Sequence, residues 1–126
     1  MRTERADPRE LLEAADGLLR LSNPDTAGLW PRASALLALE ALETSLERLW
    51  DRQSLDFAGC SMRTQLICLR SYLEDAPLAS RTSHAWSALS RACHHHAYEL
   101  APTAIELQSW FDVVRDLIGG SPSARG

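Results

Sequence analysis

Three of the four histidines stand side by side at positions 94–96, and Arg91 precedes them on the same run, "LSRACHHHAYEL". Imidazoles in that number could bind a metal, move protons near neutral pH, or solvate a helix end. Helical geometry separates these uses. With Arg91 as reference and ~100° per residue, His94 and His95 share its face, while His96 lies roughly 140° away. The run therefore fans its rings around more than half the helix, and one helix cannot aim all three at a single ion. A metal site would need ligands from elsewhere, for example Cys60 or Cys68. Zinc is usually announced by paired ligands on two elements, and only one such element is present. Cys93 adjoins the histidines, but neighbours one and two residues apart on a helix do not face each other. Cys93 reads as core, His94 as a solvated surface group, and His84 as a cap or surface residue. No GxSxG, HExxH or phosphate-loop pattern occurs. No metal and no cofactor is expected.

The elements that must position these residues are all helical. No strand-like alternation, internal repeat or glycine-rich loop is present. A first helix is expected from Asp7-Pro8, with Asp as cap and Pro at the first helical position. Leu11, Leu12, Ala15, Leu18 and Leu19 form its apolar stripe. "SNPDTAG" (22–28) is a break. A second helix is expected from about Pro31 to Arg52. Ala35, Leu39, Leu42, Leu46 and Leu49 step by four and three along it, the seam of a packed helix. Glu40, Glu43 and Glu47 share another face, read as solvated, with the alternative that it holds Arg91 or a histidine. Residues 51–61 form a loop, and Ser61 caps a third helix through "MRTQLICLRSYL". Asp75 and Pro77 restart the chain into a fourth helix running to about Tyr98, with Ser83 re-capping it after a short first turn. Trp86, Leu89, Cys93 and Leu100 share its stripe, and Pro102 stops it. Thr103 and Glu106 fit a capping box. The fifth helix follows, with Leu107, Trp110, Phe111, Val114, Leu117 and Ile118 inward, and Gly119-Gly120 ends it. The expected fold is all-α, an up-and-down bundle of four to five helices.

Composition sets the outer bounds. The chain has 126 residues, 45% hydrophobic and 24% charged, as in a single globular domain. The ends, 1–7 and 119–126, are expected to be flexible. No apolar run reaches the ~20 residues of a membrane span. "MRTERADPRE" has no apolar core of a secretory signal, so the cytoplasm is the expected location. Three irregularly spaced cysteines predict reduced, mostly buried thiols rather than a disulfide framework. Net charge is −4, which argues against indiscriminate nucleic-acid binding. The charge is uneven. Residues 57–98 hold Arg63, Arg70, Arg81 and Arg91 against Glu74 and Asp75, a balance of +2, so the rest carries −6. Every basic residue is arginine, whose planar fork suits phosphate better than lysine does.

The span Arg91-Ala-Cys-His-His-His96 is arginine, four residues, then histidine, late in a helical bundle. Together with "WPRASALLALEALETSLERLW", "SMRTQLICLRSYL" and "AWSALSRACHHHAYELAPTAIEL", it resembles the HEPN superfamily (higher eukaryotes and prokaryotes nucleotide-binding domain), in particular small actinobacterial HEPN-like proteins. The resemblance covers roughly residues 8–118. It implies a metal-independent endoribonuclease working as a homodimer on RNA, with two copies of the motif meeting in a cleft. Arg91 would be the motif arginine and His96 the motif histidine, with His95 a second candidate imidazole on the face of Arg91. It also implies a toxin-like or defence-associated role, restrained by a partner such as a nucleotidyltransferase-type antitoxin. Ala92 departs from the pattern, because active members commonly carry a polar residue after the motif arginine. The alternative is therefore a catalytically inactive HEPN-like module for dimerisation or partner binding.

Overall fold

The computed structural model describes residues 6–20, 30–57, 59–94 and 102–119. The expectations for His95, His96, Tyr98, Leu100, the 22–28 break and the residues from Gly120 onward lie outside them. Among the described residues there are five helices and no strand. They are α1 (Pro8–Arg20), α2 (Trp30–Arg52), α3 (Met62–Tyr72), α4 (Ala76–Cys93) and α5 (Ala104–Gly119).

Local chemistry accounts for most of the helix starts. Asp7 Oδ1 accepts from the Arg9 N–H at 2.9 Å, ahead of Pro8 at the head of α1. Ser61 Oγ accepts from the Thr64 N–H at 3.2 Å. Asp75 Oδ1 accepts from the Leu78 N–H at 3.0 Å, with Pro77 in the first turn. Thr103 and Glu106 make the reciprocal pair. The Glu106 N–H donates to Thr103 Oγ1 at 3.1 Å, and the Thr103 N–H donates to Glu106 Oε1 at 2.9 Å. Each cap satisfies donors that the helix itself leaves open, worth about 1 kcal/mol apiece. Since α4 is continuous from Ala76, Ser83 is an interior residue and not a second cap. The Asp75 cap already starts the helix, and Ser83 is one of its ordinary turns.

The C-terminus of α2 is closed differently. Ser54 adopts φ 58°, the Leu55 N–H donates to the Trp50 carbonyl at 2.9 Å, and the Ser54 N–H donates to the Asp51 carbonyl at 3.0 Å. That is a Schellman closure, with Leu55 folded back onto the core.

Packing is arranged as a ring of four helices with one attached. α2 packs on α1, α4 and α5; α5 also packs on α1 and α4; α3 packs on α4. α2 is thus central, which widens its buried surface beyond the expected seam. Ala35, Leu42, Leu46 and Leu49 are buried as that seam requires, but so are Ala38, Ala41 and Trp50, while Leu39 is only half-buried. Where α2 packs on α1, Ser34 Oγ donates to the Ala15 carbonyl at 2.7 Å. From α5, Leu107, Phe111, Val114 and Leu117 point inward as expected, joined by Val113; Trp110 and Ile118 are half-buried. Phe111 is fully buried, a burial worth about 1.5–3 kcal/mol.

α3 is held by α4 and by a brace at the end of α2. Trp50 Nε1 donates to Gln65 Oε1 at 2.9 Å, and Gln65 Nε2 donates to the carbonyls of Cys60 and Phe57. The Trp50 ring meets Phe57 at 4.5 Å and Tyr72 at 5.6 Å between centroids. One glutamine thereby ties α2, α3 and the connection between them together.

Candidate functional site

The short connection Leu73–Asp75 returns α4 beside α3, and a groove of about 910 Å³ opens between them. Periodicity explains its lining. On α3, Arg63, Ile67 and Arg70 step by four and three along one exposed face. On α4, Ser80, His84, Ser87 and Arg91 step by four, three and four. Leu66, Ala79 and Trp86 form the apolar floor where the two helices meet. The groove has arginines, a histidine, serines and an apolar floor, and no carboxylate in its lining.

Its charge is uncompensated among the described residues. Arg63, Arg70 and Arg91 are exposed and have no carboxylate partner there. The fourth arginine of the basic segment, Arg81, is committed elsewhere, donating to Asp116 Oδ2 of α5 at 3.1 Å. Arg63 and Arg70 stand two turns apart, ~10.5 Å along the helix axis. At that distance their repulsion in water is about 0.4 kcal/mol, so the fold keeps both open at little cost.

Arg91 occupies the last turn of α4 and lines the end of this groove. The helix stops two residues later, at Cys93, rather than near Tyr98. His94 is its C-cap, at φ −92° and ψ 121°, with its N–H donating to the Arg91 carbonyl at 3.2 Å. Histidine is a poor helix former, and three in succession weaken that end. The backbone therefore leaves the helix at His94. His94 is exposed, as expected. His95 and His96 lie outside the described residues.

Cys93 is half-buried against the core, and burial pushes its thiol above the ordinary range; Glu43 adds to the rise and Arg32 opposes it. A thiol so raised is a poor nucleophile at neutral pH. The cysteines are all free, but less buried than expected: Cys60 is exposed and Cys68 half-buried. Cys60 belongs to the loop before α3, where no helix covers it. Among the described residues no three His, Cys, Asp or Glu side chains gather into a metal-binding group. The acidic face of α2 is more than a solvated surface. Glu43 is half-buried, and its Oε2 accepts from Trp86 Nε1 at 3.0 Å, fixing the groove-floor tryptophan. It does not hold Arg91.

Arg91 stands out as a site residue in the sequence, whereas Arg63, Arg70 and His84 do not. The available signal was the arginine excess of residues 57–98. Their convergence on one groove needed the α3–α4 pairing. Comparisons with protein-family models, curated proteins and solved structures find no match to this chain. No described helix is long and apolar enough to cross a membrane.

Proposed function

We propose that this chain is a metal-independent endoribonuclease of HEPN type, acting in the cytoplasm as a homodimer with Arg91 and His96 of each subunit at a shared cleft. The observation that carries the reading is Arg91. It is an exposed guanidinium without a carboxylate partner among the described residues, at the end of a basic groove and just before α4 stops. A buried or salt-bridged arginine would have argued against it.

The chemistry fits these residue types. One imidazole takes the proton from an RNA 2′-hydroxyl as that oxygen bonds to phosphorus. The phosphorus–O5′ bond breaks, and the second subunit's imidazole returns a proton to the departing oxygen. The products are a 2′,3′-cyclic phosphate and a 5′-hydroxyl, with atoms and protons balanced. The guanidinium stabilises the extra charge on the phosphoryl oxygens. One histidine per subunit supplies either base or acid, so the two-fold pairing supplies both. His95 is the alternative imidazole. A nucleotidyltransferase-type antitoxin is the restraining partner that the HEPN resemblance implies.

A non-catalytic partner-binding module is the second reading, and Ala92 favours it. Ala92 packs against the core where active members commonly place a polar group. The deciding experiment incubates the purified protein with labelled RNA in EDTA. Wild type is expected to cleave, and Arg91→Ala/His96→Ala to lose about 100-fold or more. Equal activity in the two, or a monomer at high concentration by sedimentation, would reject the dimeric nuclease.

A further inference from the structure

We infer that the α3/α4 groove is a track for one strand of RNA, with Arg63 and Arg70 gripping its phosphates and Ile67 and the Trp86 floor receiving its bases. The inference rests on the reading above in taking RNA as the polyanion; the groove itself extends away from the Arg91 end along a surface that catalysis does not use.

Three features point to a single strand. First, the cations are distributed along the groove. Arg63 and Arg70 are ~10.5 Å apart along α3, and the α4 stripe from Ser80 to Arg91 covers ~16.5 Å. A chain of phosphates occupies that length, whereas a mononucleotide would leave one end unused. Second, the groove offers apolar surface between its charges. Ile67 is 66% exposed, a large aliphatic side chain flanked by two arginines on the same face. Single-strand sites combine a cationic groove with aromatic side chains on which bases stack; Trp86 is the ring in this lining, and Ile67 adds apolar surface beside it. A duplex keeps its base faces stacked inside and would have no use for Ile67. Third, Ser80, Ser83 and Ser87 line the α4 side, supplying neutral donors for phosphate and 2′-hydroxyl oxygens. No carboxylate in the lining repels the strand.

The test is fluorescence anisotropy with a labelled 2′-O-methyl oligouridylate, which cannot be cleaved because its attacking hydroxyl is blocked. Arg63→Ala/Arg70→Ala should weaken binding about tenfold or more at low salt, and flatten the log–log salt slope by about 1.4, two single-strand phosphate contacts at about 0.7 each. Each single Arg→Gln variant should flatten it by about 0.7, so the prediction survives if the double variant folds poorly. Ile67→Ser should weaken binding with the salt slope unchanged. An RNA duplex and polyglutamate should both bind more weakly than the single strand. Unchanged affinity and slope in the arginine variants, or equal binding of duplex or polyglutamate, would overturn the track. The two readings fail separately. If wild type shows these binding dependences without cleaving RNA, the track stands and the nuclease falls. If cleavage requires Arg91 and His96 but ignores Arg63 and Arg70, the nuclease stands and the track falls.

Discussion

Glu43 serves two side chains of α4 at once. It accepts the indole N–H of Trp86 and adds to the elevation of the Cys93 thiol, after burial and against Arg32. Removing its charge while keeping an acceptor separates these effects. Glu43→Gln should lower the Cys93 pKa yet leave it above the ordinary thiol value, because burial remains the larger cause. The readout is the pH profile of alkylation with Cys60 and Cys68 changed to serine; a midpoint that stays put or rises contradicts the assignment. The sign for stability follows from the same direction. A thiol raised in the folded state favours its neutral form there, so its contribution is complete below the unfolded thiol pKa and is lost as pH rises through the folded value. Neither the Glu43–Trp86 bond nor the exposed setting of Arg63 was legible from residue types, since each depends on which helix lies opposite.

Among the elements, the helix starts were the most legible. Ser61, Asp75 and the Thr103/Glu106 pair were all readable because a cap and its N–H partner lie within three residues of each other. Helix ends were less so. The expectation that α4 continued to Tyr98 followed an apolar spacing, and the helix instead closes at His94. The end of α2 had no glycine to mark it, and Ser54 takes the left-handed conformation instead. A side chain there costs about 1–2 kcal/mol relative to the right-handed region, offset partly by the extra freedom glycine has when unfolded. Ser54→Gly should therefore raise stability by about 0.5–1 kcal/mol. The check is the urea midpoint at constant slope; a lower midpoint would mean that the serine makes compensating contacts.

Across the whole molecule, stability is unevenly placed. α1, α2, α4 and α5 pack on one another, whereas α3, which adds Leu66 and Leu69 to the core, packs on α4 and is otherwise braced by Gln65 and Trp50. Local opening should follow that division. In hydrogen exchange, α3 amides are expected to exchange well before those of central α2, and single-stranded RNA should slow α3 selectively. Equal protection of α2 and α3 in the free protein would show that the brace makes them one cooperative unit. The all-α bundle, its helix order and most inward-facing residues were already determined by the linear order of residues, because apolar periodicity and capping act over three to seven positions. Only tertiary structure decided that α3 lies against α4, which brings arginines from two separate helices into one groove and sends Arg81 to Asp116 instead. Charge excess is countable along a chain, but a shared surface exists only after residues far apart in sequence have been packed side by side.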